Sequence, residues 1–279
     1  MTDLVFLNGK FIEKSQAKIS VLDRGFLFGD AIYEVIPVYQ STPFRLEQHL
    51  QRLDLCLAQV KIPNPYQHNK WQQIIKQLLS YHHIKDSSIY IQISRGISEN
   101  RQHIDSKDVQ PSVLIMLNAA TRTNKQQPEL DTISALLLED IRWQYCHIKT
   151  TSLLANILLR QQAQSLGGQE AILHRGEQVT EGATSNIFIV KNNIIMTPIK
   201  DSYILGGITR DLIIELAIKN GLIVQETQVA VKQLYQADEV WLSSSTREIS
   251  PVGQINDKMI NKGLVGPIAK QLHCAFQEF

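Results

Sequence analysis

Apolar positions along this chain change their period repeatedly, and each change marks an element. Val5-Phe6-Leu7 and Lys10-Phe11-Ile12 flank Asn8-Gly9, the pair best suited to a two-residue type I′ turn, so the chain should open with a β-hairpin. Asp23-Arg24-Gly25-Phe26-Leu27-Phe28-Gly29-Asp30 reads as a loop with two glycines and aromatic anchors. A strand over Ala31 to Tyr39 follows, and Ser41-Thr42-Pro43 should turn the chain back. Leu46, Leu50, Leu53 and Leu57 fall at helical spacing, which predicts a helix from Glu47 to about Val60, ended before Pro63. Trp71, Ile74, Ile75, Leu78 and Leu79 predict a second, from about Trp71 to His82. Strands Ser88 to Ser94 and Ser112 to Leu117 bracket a polar loop from Arg95 to Pro111.

Ala119 to Leu130 is polar and without period, the best place for a linker. Beyond it a strand-like run from Thr132 to Ile141 leads into short strands alternating with helices over Thr151 to Leu166, Thr209 to Asn220 and Leu264 to Phe279. No internal repeat or low-complexity tract interrupts this. The expectation is a two-domain α/β chain: a small domain over 1–120, a linker over 121–131 and a larger domain over 132–279.

The 279 residues suffice for a well-buried core, and 43% hydrophobic with 20% charged residues is ordinary for a soluble enzyme. A net charge of +1 without a Lys/Arg block gives no footprint for nucleic acid or an anionic membrane. No apolar run reaches membrane-span length, and Met1-Thr2-Asp3 does not begin a signal pattern. Cys56, Cys146 and Cys274 are odd in number and form no C-x-x-C pair, which points to reduced thiols in the cytosol, with Cys146 a packed small side chain. His82-His83 and His147 lack partners at metal-ligand offsets, so no metal is expected.

Candidate chemistry centres on Arg142-Trp143-Gln144-Tyr145-Cys146-His147-Ile148-Lys149-Thr150-Thr151-Ser152-Leu153-Leu154, where a strand gives way to a helix. A lysine is ordinarily a solvated surface charge. Three later stretches change that reading of Lys149: Val179-Thr180-Glu181-Gly182-Ala183-Thr184-Ser185-Asn186, Leu205-Gly206-Gly207-Ile208-Thr209-Arg210 and Ser243-Ser244-Ser245-Thr246. An imine-forming lysine, a carboxylate and two turns rich in hydroxyls and glycine are the parts needed to hold pyridoxal phosphate. The amine must be neutral to react, which desolvation or a nearby cation would favour. Glu181 is either a partner for the pyridine nitrogen or an exposed loop acid. Gly207-Ile208-Thr209 opens a helix, whose free N–H groups and dipole suit a phosphate dianion, while Thr209 also serves as a plausible N-cap. Ser245 and Thr246 could add hydroxyl donors. Arg52, one step off its leucine stripe, could equally be a solvated helix charge.

On these residues the chain resembles the class IV (fold-type IV) pyridoxal-phosphate aminotransferases, and within them the bacterial D-amino-acid transaminases. The likeness runs from Val5-Phe6-Leu7-Asn8-Gly9 to the C-terminal helix and is most specific in Ala171-Ile172-Leu173-His174-Arg175, Thr180-Glu181-Gly182 and Gly207-Ile208-Thr209-Arg210. The resemblance implies that Lys149 carries the cofactor and moves the Cα proton, and that Glu181, in a T-E-G-x-x-S-N segment, serves the pyridine nitrogen. Ser185 and Asn186 then fix the loop's backbone. Arg52 matches the arginine of an E-H-x-x-R-L pattern apart from one inserted residue, and would reach the phosphate with Ile208, Thr209 and Ser245, while Leu205 backs the ring. For substrate it implies Tyr33 pointing into the active site and Arg101 with His103 as an R-x-H carboxylate trap lent by the other subunit of a homodimer. A guanidinium fork plus an imidazole donor suits a small α-carboxylate.

Two departures stand out: the Arg101 loop is one residue longer than in those relatives, and their K-S-L-N is here Lys149-Thr150-Thr151-Ser152. The activity implied is transamination between D-amino acids, such as D-alanine and D-glutamate, and 2-oxo acids. An aminodeoxychorismate lyase and a branched-chain aminotransferase share the frame. Against the lyase, Gly96 to Ile104 lacks the glycine- and tyrosine-containing loop associated with it; against a catalytically silent cofactor-binding protein stands the retention of Lys149 and Glu181.

Overall fold

The computed structural model describes residues 3–82, 84–104, 109–119 and 130–279; most of the expected linker over 121–131 lies outside the described residues. The chain forms two compact units, 3–119 with Ile148–Ser152 and 130–147 with Leu153–Phe279. Among the described residues no helix is long and apolar enough to cross a membrane.

In the first unit β1 (Leu4–Leu7) and β2 (Lys10–Glu13) pair around Asn8 at φ 47° and Gly9 at φ 90°, the two positive values a type I′ turn requires. The Asp23–Asp30 stretch, expected as a loop, contains a short helix, α1 (Arg24–Phe28). The Asp23 carboxylate accepts the Gly25 N–H at 2.8 Å, and Gly29 ends the helix at φ 66°. Then come β3 (Ala31–Tyr39), β4 (Thr42–Pro43), α2 (Leu46–Gln59), α3 (His68–Tyr81), β5 (Ser87–Ser94) and β6 (Ser112–Ala119). Among the described residues the strands form one sheet in the order β2-β1-β6-β5-β3-β4. The leucine stripe of α2 and Trp71, Ile75 and Leu78 of α3 share a core with Ile36, Ile89 and Ile91 of the sheet. Each such side chain contributes about 1.5–3 kcal/mol on burial, so the pattern that predicted the helices is also what holds them on the sheet.

Ile148–Ser152 lies along β3. The Tyr33 N–H donates to Lys149 O and the Thr151 N–H to Ala31 O, both at 3.0 Å, and Ile32 bridges to Thr150. This is why the next helix does not begin at Thr151 as its apolar pattern suggests. Thr151 is already committed to Ala31, and α4 starts only at Leu154, running to Ser165.

The second unit opens with β7 (Ile133–Glu139), α4 and β8 (Glu170–Arg175), a parallel pair joined by a helix. Regular strand–helix alternation then fails. The strands β8, β9 (Gln178–Gly182), β10 (Asn186–Lys191) and β11 (Ile194–Pro198) follow one another with only turns between them. α5 (Ile208–Lys219) connects β11 to the parallel β12 (Ile223–Thr227). After β13 (Val229–Ala230), α6 (Val231–Gln236), β14 (Glu239–Ser244), β15 (Glu248–Ile255) and β16 (Lys258–Met259), the described chain closes with α7 (Pro267–Glu278). The described strands join in the order β12-β11-β10-β14-β15-β7-β8-β9-β13, with β16 added on β15. An apolar cluster including Ile172, Ile187, Ile189, Val240, Leu242 and Ile255 fills the interior of this unit.

α7 starts without a cap from its own side chains. The buried Glu239 of β14 replaces it, accepting the N–H groups of Ile268 and Ala269 at 2.9 Å each and the Trp241 indole N–H at 3.2 Å. Gly266 leaves the space, since a Cβ there would lie 2.0 Å from the Glu239 carboxyl carbon. Glu239→Ala leaves three buried donors without an acceptor and should cost about 2–4 kcal/mol in urea unfolding, with Glu239→Gln losing less because its amide oxygen still accepts. An Ala variant as stable as wild type would show that this cap contributes nothing.

Candidate active site

Lys149 is half-buried, and its Nζ lies 4.2 Å from the centre of the Tyr33 ring. Tyr33 in turn sits 5.9 Å from the Tyr90 ring, whose hydroxyl donates to Gln92. Three hydroxyls after the lysine grip one turn: Thr150 Oγ1 donates to Ala31 O at 3.0 Å, Thr151 Oγ1 to Gly29 O at 3.1 Å and Ser152 Oγ to Gly29 O at 3.3 Å. The Lys149 N–H faces Cys56 Sγ at 3.4 Å. The Thr-Thr-Ser departure from the family pattern therefore anchors the lysine's backbone rather than adding reacting groups.

Beside Tyr33 on β3, Glu34 is buried and fully engaged. Arg52 grips it as a fork, Nε to Oε1 at 2.7 Å and Nη2 to Oε2 at 2.8 Å, and His49 Nδ1 adds a third bond at 2.8 Å. Burial alone would raise the Glu34 carboxyl, but the Arg52 guanidinium and His49 hold it far below the usual carboxylate range. Burial and Arg52 together lower His49, against the pull of Glu34. The sequence singled out Arg52 from this cluster but missed Glu34 and His49. The signal was present: His49 and Arg52 are three apart on α2 and so share a face.

Arg101 and His103 lie exposed on the loop after β5, and both turn to one ring. The Arg101 guanidinium carbon is 5.1 Å and the His103 ring 5.4 Å from the centre of Phe28. The two residues of the expected carboxylate trap are thus brought together on α1.

In the second unit Glu181, 4% exposed, lies at the centre of a charge network. Arg142 Nη1 donates to its Oε1 at 2.6 Å; the Asn186 side chain at 3.0 Å and the Leu205 N–H at 3.1 Å donate to Oε2. Glu181 is not an exposed loop acid. Arg142 is shared: its Nε and Nη2 bind Asp140 at 2.9 and 2.8 Å. Asp140 also takes Thr180 Oγ1 at 3.0 Å and Arg175 Nε at 3.2 Å. Burial pushes the Glu181 carboxyl up to about 7, outweighing the pull of Arg142 and of the Leu205 N–H, and the Asp140 charge adds a smaller upward push. Cys146, buried, donates to Trp143 O at 3.2 Å, and burial pushes its thiol up to about 11, which suits a packed residue better than a nucleophile.

Asn186 ties Glu181 to the start of α5. Its side-chain amide donates also to Leu205 O at 2.8 Å, and a Cβ on Gly207 would lie 2.0 Å from Asn186 Oδ1. Gly207, not Thr209, is the N-cap residue of α5; Thr209 and Ile208 are buried in its first turn, which no side chain caps. Ser243 is the cross-strand partner of Asn186, so their side chains share a face, and its buried Oγ has no partner among the described residues. Ser245 is half-buried in the turn after β14. Leu205 is half-buried rather than part of the core. Uncapped amides at the start of α5 with the Thr209, Ser243 and Ser245 hydroxyls are a donor set that fits a phosphate dianion, while Arg210 is committed to Pro198 O, Glu226 and Asp211; a buried acid that ionises beside a cation fits a protonated ring nitrogen. Arg142, Asp140 and Ser243 were not picked out from sequence as functional. Only the D-x-R spacing of Asp140 and Arg142 hinted at a local pair.

Residues 31–255 match the family model for amino-transferase class IV. D-alanine aminotransferase of Listeria monocytogenes is 36% identical over 274 residues, 98% of this chain and 95% of that protein. The D-alanine aminotransferase of Staphylococcus haemolyticus is 35% identical over 276 residues, 99% of this chain and 97% of that protein. Among solved structures, the branched-chain amino acid aminotransferase of Escherichia coli aligns with a TM-score of 0.94 at 26% identity, covering 100% of this chain and 95% of that one.

The Glu181 environment has a measurable consequence. Its carboxyl ordinarily titrates near 4.5 but keeps its proton to about 7 in the fold, so between these values the folded state binds a proton the unfolded chain has released. The cofactor-free protein should therefore lose stability through Glu181 as pH rises from about 5 to 8, on the order of 3 kcal/mol. Urea unfolding at both pH values should show this loss in wild type and not in Glu181→Gln. A wild-type-minus-variant difference that is flat with pH would mean Arg142 already keeps Glu181 ionised.

Proposed function

The chain belongs to the class IV aminotransferase family and is an aminotransferase, and from that premise we propose that it moves the amino group of D-amino acids, D-alanine and D-glutamate among them, onto 2-oxo acids. Class IV aminotransferases are dependent on pyridoxal phosphate. The observation that carries the substrate reading is the convergence of Arg101 and His103 on the Phe28 ring, which presents a fork and an imidazole together to a small carboxylate. Similarity to the D-alanine aminotransferases over nearly the whole chain supports it.

Lys149 Nζ is assigned to bind the cofactor at rest and then to take the proton from substrate Cα and return it. When bound, pyridoxal phosphate withdraws the electron pair left at that carbon. Glu181, ionised beside the bound cofactor, would hold a proton at the ring nitrogen by its negative charge. Arg52, the Ile208 and Thr209 amides, the Thr209 hydroxyl and Ser245 bind the phosphate, and Leu205 backs the ring. Tyr33 keeps Lys149 Nζ against an aromatic face. A cytoplasmic homodimer, with Arg101 and His103 serving the partner's site, completes the proposal.

Borohydride reduction of the purified protein followed by peptide mapping should place the cofactor label on Lys149. A label on another lysine ends that assignment.

A coupled pyruvate assay should show strong preference for D-alanine over L-alanine, because a carboxylate trap on one side fixes which Cα bond meets Lys149. Arg101→Ala should lose about 1.5–3 kcal/mol, roughly ten- to a hundredfold, mainly in KM for D-alanine and 2-oxoglutarate, at unchanged cofactor occupancy. Preference for L-donors, or release of pyruvate from aminodeoxychorismate, would reject the D-amino-acid reading.

A further inference from the structure

Arg24 has no part in the reading above, yet it is bonded directly to the Arg101 loop. Arg24 is 5% exposed. Its Nη1 donates to Gln102 O at 2.7 Å, its Nη2 to His103 O at 3.0 Å and its Nε to Asp30 Oδ2 at 2.9 Å. Its guanidinium carbon is 5.0 Å from the centre of Phe28, the ring that also meets Arg101 and His103. Asp30 does not depend on Arg24 for its orientation, because Arg95 holds both its oxygens, Nε to Oδ2 at 2.8 Å and Nη2 to Oδ1 at 3.0 Å.

The limbs of the loop meet at Gly96, at φ 112°, where a Cβ would lie 2.0 Å from Gln110 O; Gly96 O also accepts the Arg24 N–H at 2.8 Å. Arg24 therefore engages this loop at its base and at the two consecutive carbonyls beside Arg101. Fixing two successive carbonyls with one rigid fork fixes the peptide between them, and with it the direction in which the neighbouring side chains leave the backbone. A lysine could keep the Asp30 pair but not the planar two-carbonyl grip.

We propose that Arg24 is a positioning residue for substrate recognition. It orders the Gln102–His103 backbone and, with Phe28 as a shared platform, sets Arg101 and His103 before the substrate carboxylate arrives. This rests on the assignment of Arg101 and His103 as the carboxylate trap. A loop ordered in advance loses less side-chain freedom on binding, so the effect falls on affinity rather than on the chemical step.

The test compares Arg24→Lys, Phe28→Leu, Arg101→Ala and the Arg24→Lys/Arg101→Ala double variant as holoenzymes, with kcat and KM for D-alanine at saturating 2-oxoglutarate and cofactor occupancy by absorbance. Arg24→Lys should raise KM about tenfold with kcat held within about twofold, and Phe28→Leu should raise KM in the same direction. In the Arg101→Ala background Arg24→Lys should raise KM by clearly less than it does in wild type, because Arg24 acts through Arg101 as well as through His103. If Arg101→Ala raises KM and Arg24→Lys does not, or if the two effects multiply, the positioning role is wrong while the carboxylate reading stands. If Arg101→Ala leaves KM unchanged, the carboxylate reading falls and the positioning role with it. Should Arg24→Lys fail to fold, Phe28→Leu decides alone, since it leaves the Arg24–Asp30 pair intact; an unchanged KM there overturns the proposal.

Discussion

Lys149 is held half-buried with its Nζ against the ring of Tyr33, and strand β3 fixes that placement. Glu34 follows Tyr33 directly on β3, and both its oxygens are occupied by Arg52 and His49. An aromatic face, not an anion, meets Lys149 Nζ. The backbone bonds to Ala31 and Tyr33 then make the lysine's position a property of β3.

The two buried glutamates show how burial and partners together decide charge. Glu34 has Arg52 as a bidentate partner and stays ionised far below the usual range. Glu181 has a shorter contact, 2.6 Å to Arg142, and yet keeps its proton to about 7. At Glu181 burial outweighs the cation: the Arg142 guanidinium makes two bonds to Asp140 and one to Glu181, and Asp140 adds a smaller repulsion. Distance to the nearest cation therefore does not decide the charge by itself; the balance between burial and the whole set of partners does. A buried carboxyl left short of compensation can respond to a proton or cation arriving beside it, which Glu34 cannot.

Where one pattern controlled an element, the sequence was enough. The leucine stripe placed α2 within a residue, and Asn8-Gly9 placed the first hairpin. Lys149 and Glu181 were singled out through the stretches around them and the resemblance those carry, and of the two readings left open for Glu181 the exposed loop acid is ruled out by its burial. Three things were not legible, one for its shortness and two for non-local reasons. α1 is five residues long, too short for any period to reveal, and needs the Asp23 cap together with bonds from Arg24 and from the residues after Lys149. The late start of α4 depends on Thr151 bonding to Ala31, 120 positions away in sequence, which overrides a continuous apolar pattern. Asp140 and Arg142 look like surface charges until Glu181, from β9, is folded against them.

The residues that depart from the family pattern fit the same logic. Thr150, Thr151 and Ser152 direct their hydroxyls at Gly29 O and Ala31 O, and Gly29 can receive them only because it lacks a Cβ, which would lie 2.6 Å from Ser152 Oγ. Gly29 is also the residue that ends α1 in the left-handed conformation. One five-residue helix therefore meets the lysine segment at its C-terminal carbonyl and, through Arg24 at its N-terminus, the carbonyls of the Arg101 loop. A helix this short has no intrinsic stability of its own. It holds its shape because the Asp23 cap, the Arg24–Asp30–Arg95 charges and the hydroxyls of three consecutive residues all close on it. The same short helix thus bonds both segments, the lysine segment at Gly29 O and the Arg101 loop through Arg24, with five peptide units of backbone between the two points.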